Sequence, residues 1–508
     1  MSDLFQWFQS QNGDVDITSL TIADIPGHGR GALALKDLPE GFTLFTIPRE
    51  LTLSTRTSSL PGRIGKPAWK HFGLDKGWVG LILCIMWEEA QGSSSKWSGY
   101  LSSLPSSFDT PMFWNSADLQ ELQGTAVVDK IGKEQAERDY NGKLLPVVQS
   151  RVDLFPPESL SEHYTLHRYH LTGSRILSRS FHVEPWMGGD DDVSDDGSQG
   201  PDEAVAKMDV DAERSVVETG TIPGSSETTK ELNDELEGPT DDEDDEDEDA
   251  DDPADVAMVP MADMLNARFG SENAKLFYEE HHLKMVTTKP IKAGEQIWNT
   301  YGDPPNSDLL RRYGHVDLVP LEPPLAGLGN PADIVEIGAD LAVFAAKKDS
   351  PEKLQDKIDW WLEVANDDTF VIGTDCQLPE ELVSFARLLF LPRDEWEKVR
   401  QKSKLPKPKI DAQVLSVAED VLSRRINEYS TTIEDDEALL ALENAQPLSL
   451  NKKHALIVRH GEKRILHGTL QHVNQLQAQA QSSIGGNNKR KNRDGAEVSG
   501  TKGKKARS

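Results

Sequence analysis

Three groups of residues in this 508-residue chain have types and spacings that could do chemistry. MVPMADMLNARFG sets Asp263 and Asn266 three residues apart, and NTYGD places Tyr301 after an apolar, strand-like run. A carboxylate, a carboxamide and a phenol can orient a ligand by hydrogen bonds. The same residue types also cap turns and pack as aromatics, so the local pattern leaves both readings open. His163, His167 and His170 stand at i, i+4 and i+7 on an expected helix, a spacing that could hold a metal. No acidic or cysteine partner completes that set nearby, so they read as surface or packing histidines. His281 and His282 fall at an expected hairpin turn, and no metal is expected. PGHGRGA resembles a phosphate loop, but strand-like sequence follows it rather than a helix N-terminus, so a dinucleotide site is not expected.

The elements around these residues divide the chain. Residues 20–55 alternate apolar runs with turn signals, predicting a small antiparallel β unit. Between about 73 and 184 the pattern turns helical, with Trp78, Leu81, Ile82, Ile85 and Met86 three and four apart. Strand signals return in AKLFYEE, HLKMVTT and EQIWNTY. ALKDLPEGFTLF and TTKPIKAGEQIW share one layout, so two similar hairpins flank the helical insertion. After about 330 the chain is helical again, with Leu415, Ala418, Leu422, Ile426 and Tyr429 along one face.

Lys and Arg number 54 against 86 Asp and Glu, a net charge of −32. Residues 190–255 hold 28 acidic and three basic side chains, so the remainder is close to −7 and ordinary in charge. That acidic stretch cannot bury enough apolar area to offset its ordering entropy, and disorder is expected there. Two cysteines, Cys84 and Cys376, offer neither a disulfide framework nor a Cys-rich zinc cluster, which suits a reducing compartment. No signal peptide or membrane-length apolar run is evident. A soluble, monomeric, intracellular protein is expected, in the nucleus or cytoplasm. The basic tail with Lys489, Arg490, Lys491, Arg493, Lys502, Lys504, Lys505 and Arg507 favours the nucleus and is the one feature suited to nucleic acid.

Taken together, GHGRGALALKDLPEG, WSGYLSSLPSSFDTPMFW, SRILSRSF, MVPMADMLNA, NTYGD with RRYGHV, TFVIGTDCQLPEELV, YSTTIEDDEALL and LIVRHGEKRIL resemble the SET-domain protein lysine methyltransferases. The resemblance is to the branch holding the Rubisco large-subunit methyltransferase, SET domain-containing protein 6 and the ribosomal lysine N-methyltransferases. It implies an α+β protein: a SET β-fold with a helical insertion, followed by an all-α substrate-binding domain. The implied segments are 1–72 and 257–320 for the SET fold, 73–187 for the helical insertion and 188–256 for the acidic disordered insertion. Residues 330–480 would form the substrate-binding domain and 481–508 the flexible basic tail.

The resemblance also assigns roles. The backbone at His28, Gly29, Arg30 and Gly31 would line an S-adenosylmethionine cleft, since glycine lets main chain approach a ligand closely. Arg179 would face the cofactor's carboxylate, Asn266 would orient its methionine part, and Asp263 would support that loop. Ala267 stands where the family commonly has His, and it keeps the main-chain donor and acceptor. Phe181 and Tyr313 would wall a lysine channel, and the helical domain would form one side of the groove leading to it. Tyr301 would be the catalytic residue and would also touch the cofactor: a phenol can hold the free amine toward the sulfonium methyl, whereas a carboxylate would stabilise the ammonium. The expected substrate is a lysine-rich basic protein of the large ribosomal subunit. Ala267 and the acidic segment also motivate another reading, a non-catalytic scaffold that binds a basic partner. A transcription factor or histone substrate is a further alternative.

Overall fold

The computed structural model describes residues 2–25, 29–186, 252–346, 354–365, 367–442 and 445–494. His28, most of the acidic insertion and the end of the tail lie outside them. The chain forms two compact units, one of residues 1–114, 129–304 and 308–315, the other of 115–128, 305–307 and 316–508.

The first unit holds the larger sheets. Strands β1 (Asp14–Val15), β2 (Leu20–Ile25), β3 (Gly29–Ala34) and β4 (Thr43–Pro48) precede the helical insertion. After it come β5 (Ser180–His182), β6 (Val256–Met258), β7 (Ala274–Tyr278), β8 (His282–Thr287) and β9 (Gln296–Ile297). They build antiparallel sheets of order β1-β4-β8-β7 and β2-β3-β9, with β5 paired to β6. The two look-alike segments pair with each other. β3 joins β9, β4 joins β8, and Leu38 and Ile291 in the connecting turns exchange backbone hydrogen bonds of 2.8 and 3.0 Å. Similar sequences thus meet in similar roles, each turn satisfying the other's main chain.

Within the helical insertion the helix Val79–Ala90 is buried from Val79 to Glu88, more than the single stripe its spacing predicts. A helix apolar on every side belongs inside a core. Helices already appear at Leu60–Ile64 and Lys66–His71, before the expected boundary at 73, and residues 115–128 group with the second unit.

The end of the acidic stretch is also more ordered than expected. Asp252 pairs with Arg56 at 2.7 Å, Asp255 pairs with the same guanidinium, and β6 begins at Val256. Because β5 and β6 are partners, with His182 opposite Val256, the insertion leaves and rejoins the fold at neighbouring points, which costs the sheet little.

The second unit is mainly helical but carries two small ladders, Val319–Pro320 with Leu328–Gly329 and Ile334–Gly338 with Thr369–Gly373. TFVIG is therefore a strand, its Phe370 and Ile372 facing the core and Val371 facing out. The helix Ala412–Ile426 buries Leu415, Ala418 and Leu422 as its spacing requires. The helix Leu450–Asp494 runs past residue 481, so the start of the expected flexible tail is helical.

The polar residues of this unit's two motifs turn inward. Glu462, 2% exposed, accepts from the Tyr429 hydroxyl at 2.5 Å and the Ala126 amide at 3.2 Å. Burial pushes its carboxyl up to about 7 despite Tyr429 and Arg425. The folded protein therefore binds a proton more tightly than the unfolded chain, and this group's contribution is full below its unfolded value near 4.5 and lost as pH rises to about 7. Glu462→Gln is expected to remove that loss, worth about 3 kcal/mol. Denaturant melts of both proteins across this window would check it; parallel curves would contradict it.

Candidate active site

One cleft in the first unit collects much of the expected machinery: Arg179, Phe181, Asp263, Tyr301 and Tyr313 all line it. Arg179 ends the helix Leu166–Arg179 and Phe181 sits on β5, where pairing with Ala257 fixes it. Tyr313 ends the helix Asn306–Tyr313. Its ring stacks on Tyr301 with centroids 4.3 Å apart and planes 10° apart, forming a flat double-aromatic wall.

The Tyr301 hydroxyl donates to the Leu265 carbonyl at 3.2 Å. Burial, with the Tyr313 phenol beside it, pushes its proton affinity well above the ordinary phenol value. Tyr301 is therefore a neutral phenol at physiological pH. It can orient and accept hydrogen bonds, but it cannot be a phenolate base.

The loop holding Leu265 is strained. Met261, fully buried, adopts φ 75° and ψ −45°, a region β-carbon residues rarely enter, directly before the turn Ala262–Met264. Such strain costs about 1–3 kcal/mol and persists only where surrounding packing enforces it. The loop is further held by Asn299, whose amide donates to the Asn266 carbonyl at 2.9 Å, and by a parallel bridge from Asn266 to Trp298.

Gly31 lies against this loop. A Cβ there would sit 2.6 Å from Asn266 Nδ2, 2.7 Å from Ile25 Cδ1 and 2.8 Å from Gln296 Nε2, so only glycine fits without displacement. Gly29 has φ +65°, and Arg30 reaches the insertion, donating to the Ser103 carbonyl at 2.6 Å. Ala267 is half-buried beside Asn266. Gly29, Arg30, Gly31, Asn266 and Ala267 are not among the residues lining this cleft, although Gly31 and Asn266 meet each other. His28 lies outside the described residues.

Asp263 is tied in from two directions. Tyr100 donates to its Oδ2 at 2.8 Å, and Arg179 Nη1 donates to its main-chain carbonyl at 2.6 Å while standing 3.7 Å from Oδ2. Burial pushes its carboxyl up to about 6, against Arg179 and Tyr100. Asp263 Oδ1 and Arg179 Nε are nevertheless buried without a hydrogen-bond partner. Tyr100 was missed by the sequence reading, although WSGYLSSLP contains it; so were Asn299 and Arg312. Among the described residues no cluster of His, Cys, Asp or Glu could hold a metal, and His167 packs edge-on against Phe113 at 6.2 Å.

Several known proteins are similar to this chain over much of its length. Residues 349–466 match the family described as Rubisco LSMT substrate-binding. The N-lysine methyltransferase SETD6 of Mus musculus is 27% identical over 471 residues, covering 88% of this chain and 85% of that protein. The chain is thus similar to SET-domain lysine methyltransferases along most of its length. The Ribosomal lysine N-methyltransferase 4 of Saccharomyces cerevisiae is 30% identical over 292 residues, 57% of this chain and 49% of that protein. The structure of Rubisco LSMT bound to AdoMet superposes with a TM-score of 0.59 at 18% identity, covering 93% of this chain and 91% of that one, which shows the shared fold.

Proposed function

We propose that this SET-domain protein is an S-adenosylmethionine-dependent protein-lysine N-methyltransferase acting on a non-histone protein, with a large-subunit ribosomal protein as its substrate. The observation that carries the reading is the stacked Tyr301–Tyr313 wall, in one cleft with Phe181, Arg179 and Asp263 and next to the loop against which Gly31 packs. The yeast relative named for ribosomal lysine and the net charge of −32 support a basic ribosomal substrate.

The residues present fit the cofactor. Arg179 Nε is an unmet donor and Asp263 Oδ1 an unmet acceptor, both buried, and together they suit the carboxylate and ammonium of an amino-acid group. Arg179, Asp263, Asn266 and the Gly31 main chain would hold it; bound there, S-adenosylmethionine supplies an electrophilic methyl. The chain's own contribution concerns the lysine. Releasing its proton at neutral pH costs about 4 kcal/mol, and the aromatic wall reduces that cost by disfavouring the ammonium. The Tyr301 oxygen, whose proton is directed at the Leu265 carbonyl, would accept from an amine N–H and so aim the amine lone pair in line.

Gly31→Ala is expected to weaken S-adenosylmethionine binding about tenfold, because the new methyl must displace Asn266 or its neighbours. Titration calorimetry measures this, and unchanged affinity would place the cofactor elsewhere. The wild-type titration also separates enzyme from scaffold, since a decayed site should not bind the cofactor. Labelling of separated ribosomal proteins, compared with histones and transcription factors, tests the substrate; label confined to the latter two would remove the ribosomal assignment.

A further inference from the structure

We infer that Arg312 is a receptor for an acidic side chain carried by the protein substrate close to its target lysine. The inference rests on the methyltransferase reading and names a determinant of its substrate choice. Arg312 belongs to the helix Asn306–Tyr313 and lines the same cleft as Phe181, Tyr301 and Tyr313. It is only 6% exposed, and its Nε is fully buried without a hydrogen-bond partner.

The carboxylate that acts on it electrostatically is already engaged. Asp308, one turn earlier, binds Arg311 through Nε and Nη2, each at 3.0 Å. Among the described residues Arg312 makes no ion pair; Asp308 acts on it through space without contact. A guanidinium taken out of water without an anion is strongly disfavoured, so its retention beside a cleft points to a counter-ion that arrives with a ligand.

Two ligands enter this cleft on the methyltransferase reading. The amino-acid end of the cofactor brings one carboxylate, and the unmet groups of Arg179 and Asp263 match that end together. Arg312 is then left over. It adjoins Tyr313 in the chain, and the Tyr313 ring is half of the wall expected to flank the lysine. A planar guanidinium binds a carboxylate with two parallel hydrogen bonds, so an Asp or Glu side chain of the substrate is the anion it fits. A protein that is basic overall can carry such a residue next to one lysine.

The test uses the full chain, labelled S-adenosylmethionine and lysine-centred peptides in which a single Asp or Glu is moved through the flanking positions. Wild type is expected to favour an acidic residue at one fixed position by about tenfold. Arg312→Gln should abolish that preference, and Arg312→Lys should restore part of it. Affinity for S-adenosylmethionine without peptide should be the same in all three. Absence of positional preference in wild type overturns the proposal while leaving the methyltransferase reading intact. So does an Arg312→Gln protein that binds the cofactor weakly but keeps the preference, since Arg312 would then be a cofactor ligand. If Arg312→Gln does not fold, the wild-type scan and Arg312→Lys decide. Cofactor binding without transfer to any peptide or protein fraction overturns the methyltransferase reading, and this proposal with it.

Discussion

Tyr301→Phe lowers methyl transfer at least about a hundredfold while S-adenosylmethionine affinity is unchanged. The substitution removes one oxygen and leaves the ring that stacks on Tyr313, so the aromatic wall and its exclusion of water survive. What is lost is the hydroxyl held by the Leu265 carbonyl, the group positioned to set the direction of the amine. Because that hydroxyl stays protonated, the loss should be the same across neutral pH and should not appear as a shifted limb of the pH profile. Single-turnover rates with labelled cofactor, beside a direct binding titration, separate the two effects. A proportional loss of affinity and rate would instead make Tyr301 a cofactor ligand.

Asp436→Asn is expected to destabilise the helical unit by about 3–5 kcal/mol. Asp436 is fully buried and accepts from Arg459 Nε at 2.9 Å and Lys463 Nζ at 2.7 Å, cations that are themselves 1% exposed. Arg459 also meets Glu121 at 2.6 Å, and Lys463 donates to the Thr431 carbonyl at 2.6 Å. Neutralising the central carboxylate leaves two buried cations with one partly exposed carboxylate, Glu121, which pairs with Arg459 alone, and the amide presents a donor where Asp436 had only acceptors. Urea melts followed by far-UV circular dichroism would measure it. A change under about 1 kcal/mol would mean that water reaches the cluster and screens it.

The sequence made some of this legible and hid the rest for identifiable reasons. The strands around Pro-Glu-Gly and Lys-Ala-Gly follow from alternating apolar residues bounded by turn formers, but neither segment closes on itself as the expected hairpin: β3 pairs with β9 and β4 with β8, long-range partners that no local pattern reports. Tyr301 and Tyr313 are close in sequence, joined by one short helix, so their stacking was within reach of a motif. Tyr100 and Asp263 are 163 residues apart, and no local periodicity reports such a contact. The motifs YSTTIEDDEALL and LIVRHGEKRIL have charges that read as solvated faces, whereas Asp436, Arg459, Glu462 and Lys463 are buried together. Patterning assigns charge to the surface by default, and only tertiary partners reveal the exceptions. Arg312 was visible inside RRYGHV, but burial without a partner can be seen only in the folded chain.

The central claim is that this cleft delivers a methyl group to a lysine nitrogen held by the Tyr301 phenol. The most direct measurement is mass-spectrometric location of label after the purified chain and its Tyr301→Phe variant are each incubated with labelled S-adenosylmethionine and separated ribosomal proteins. The account predicts label on lysine Nζ from wild type and almost none from the variant. Label on another residue type, or equal labelling by the two proteins, would contradict it.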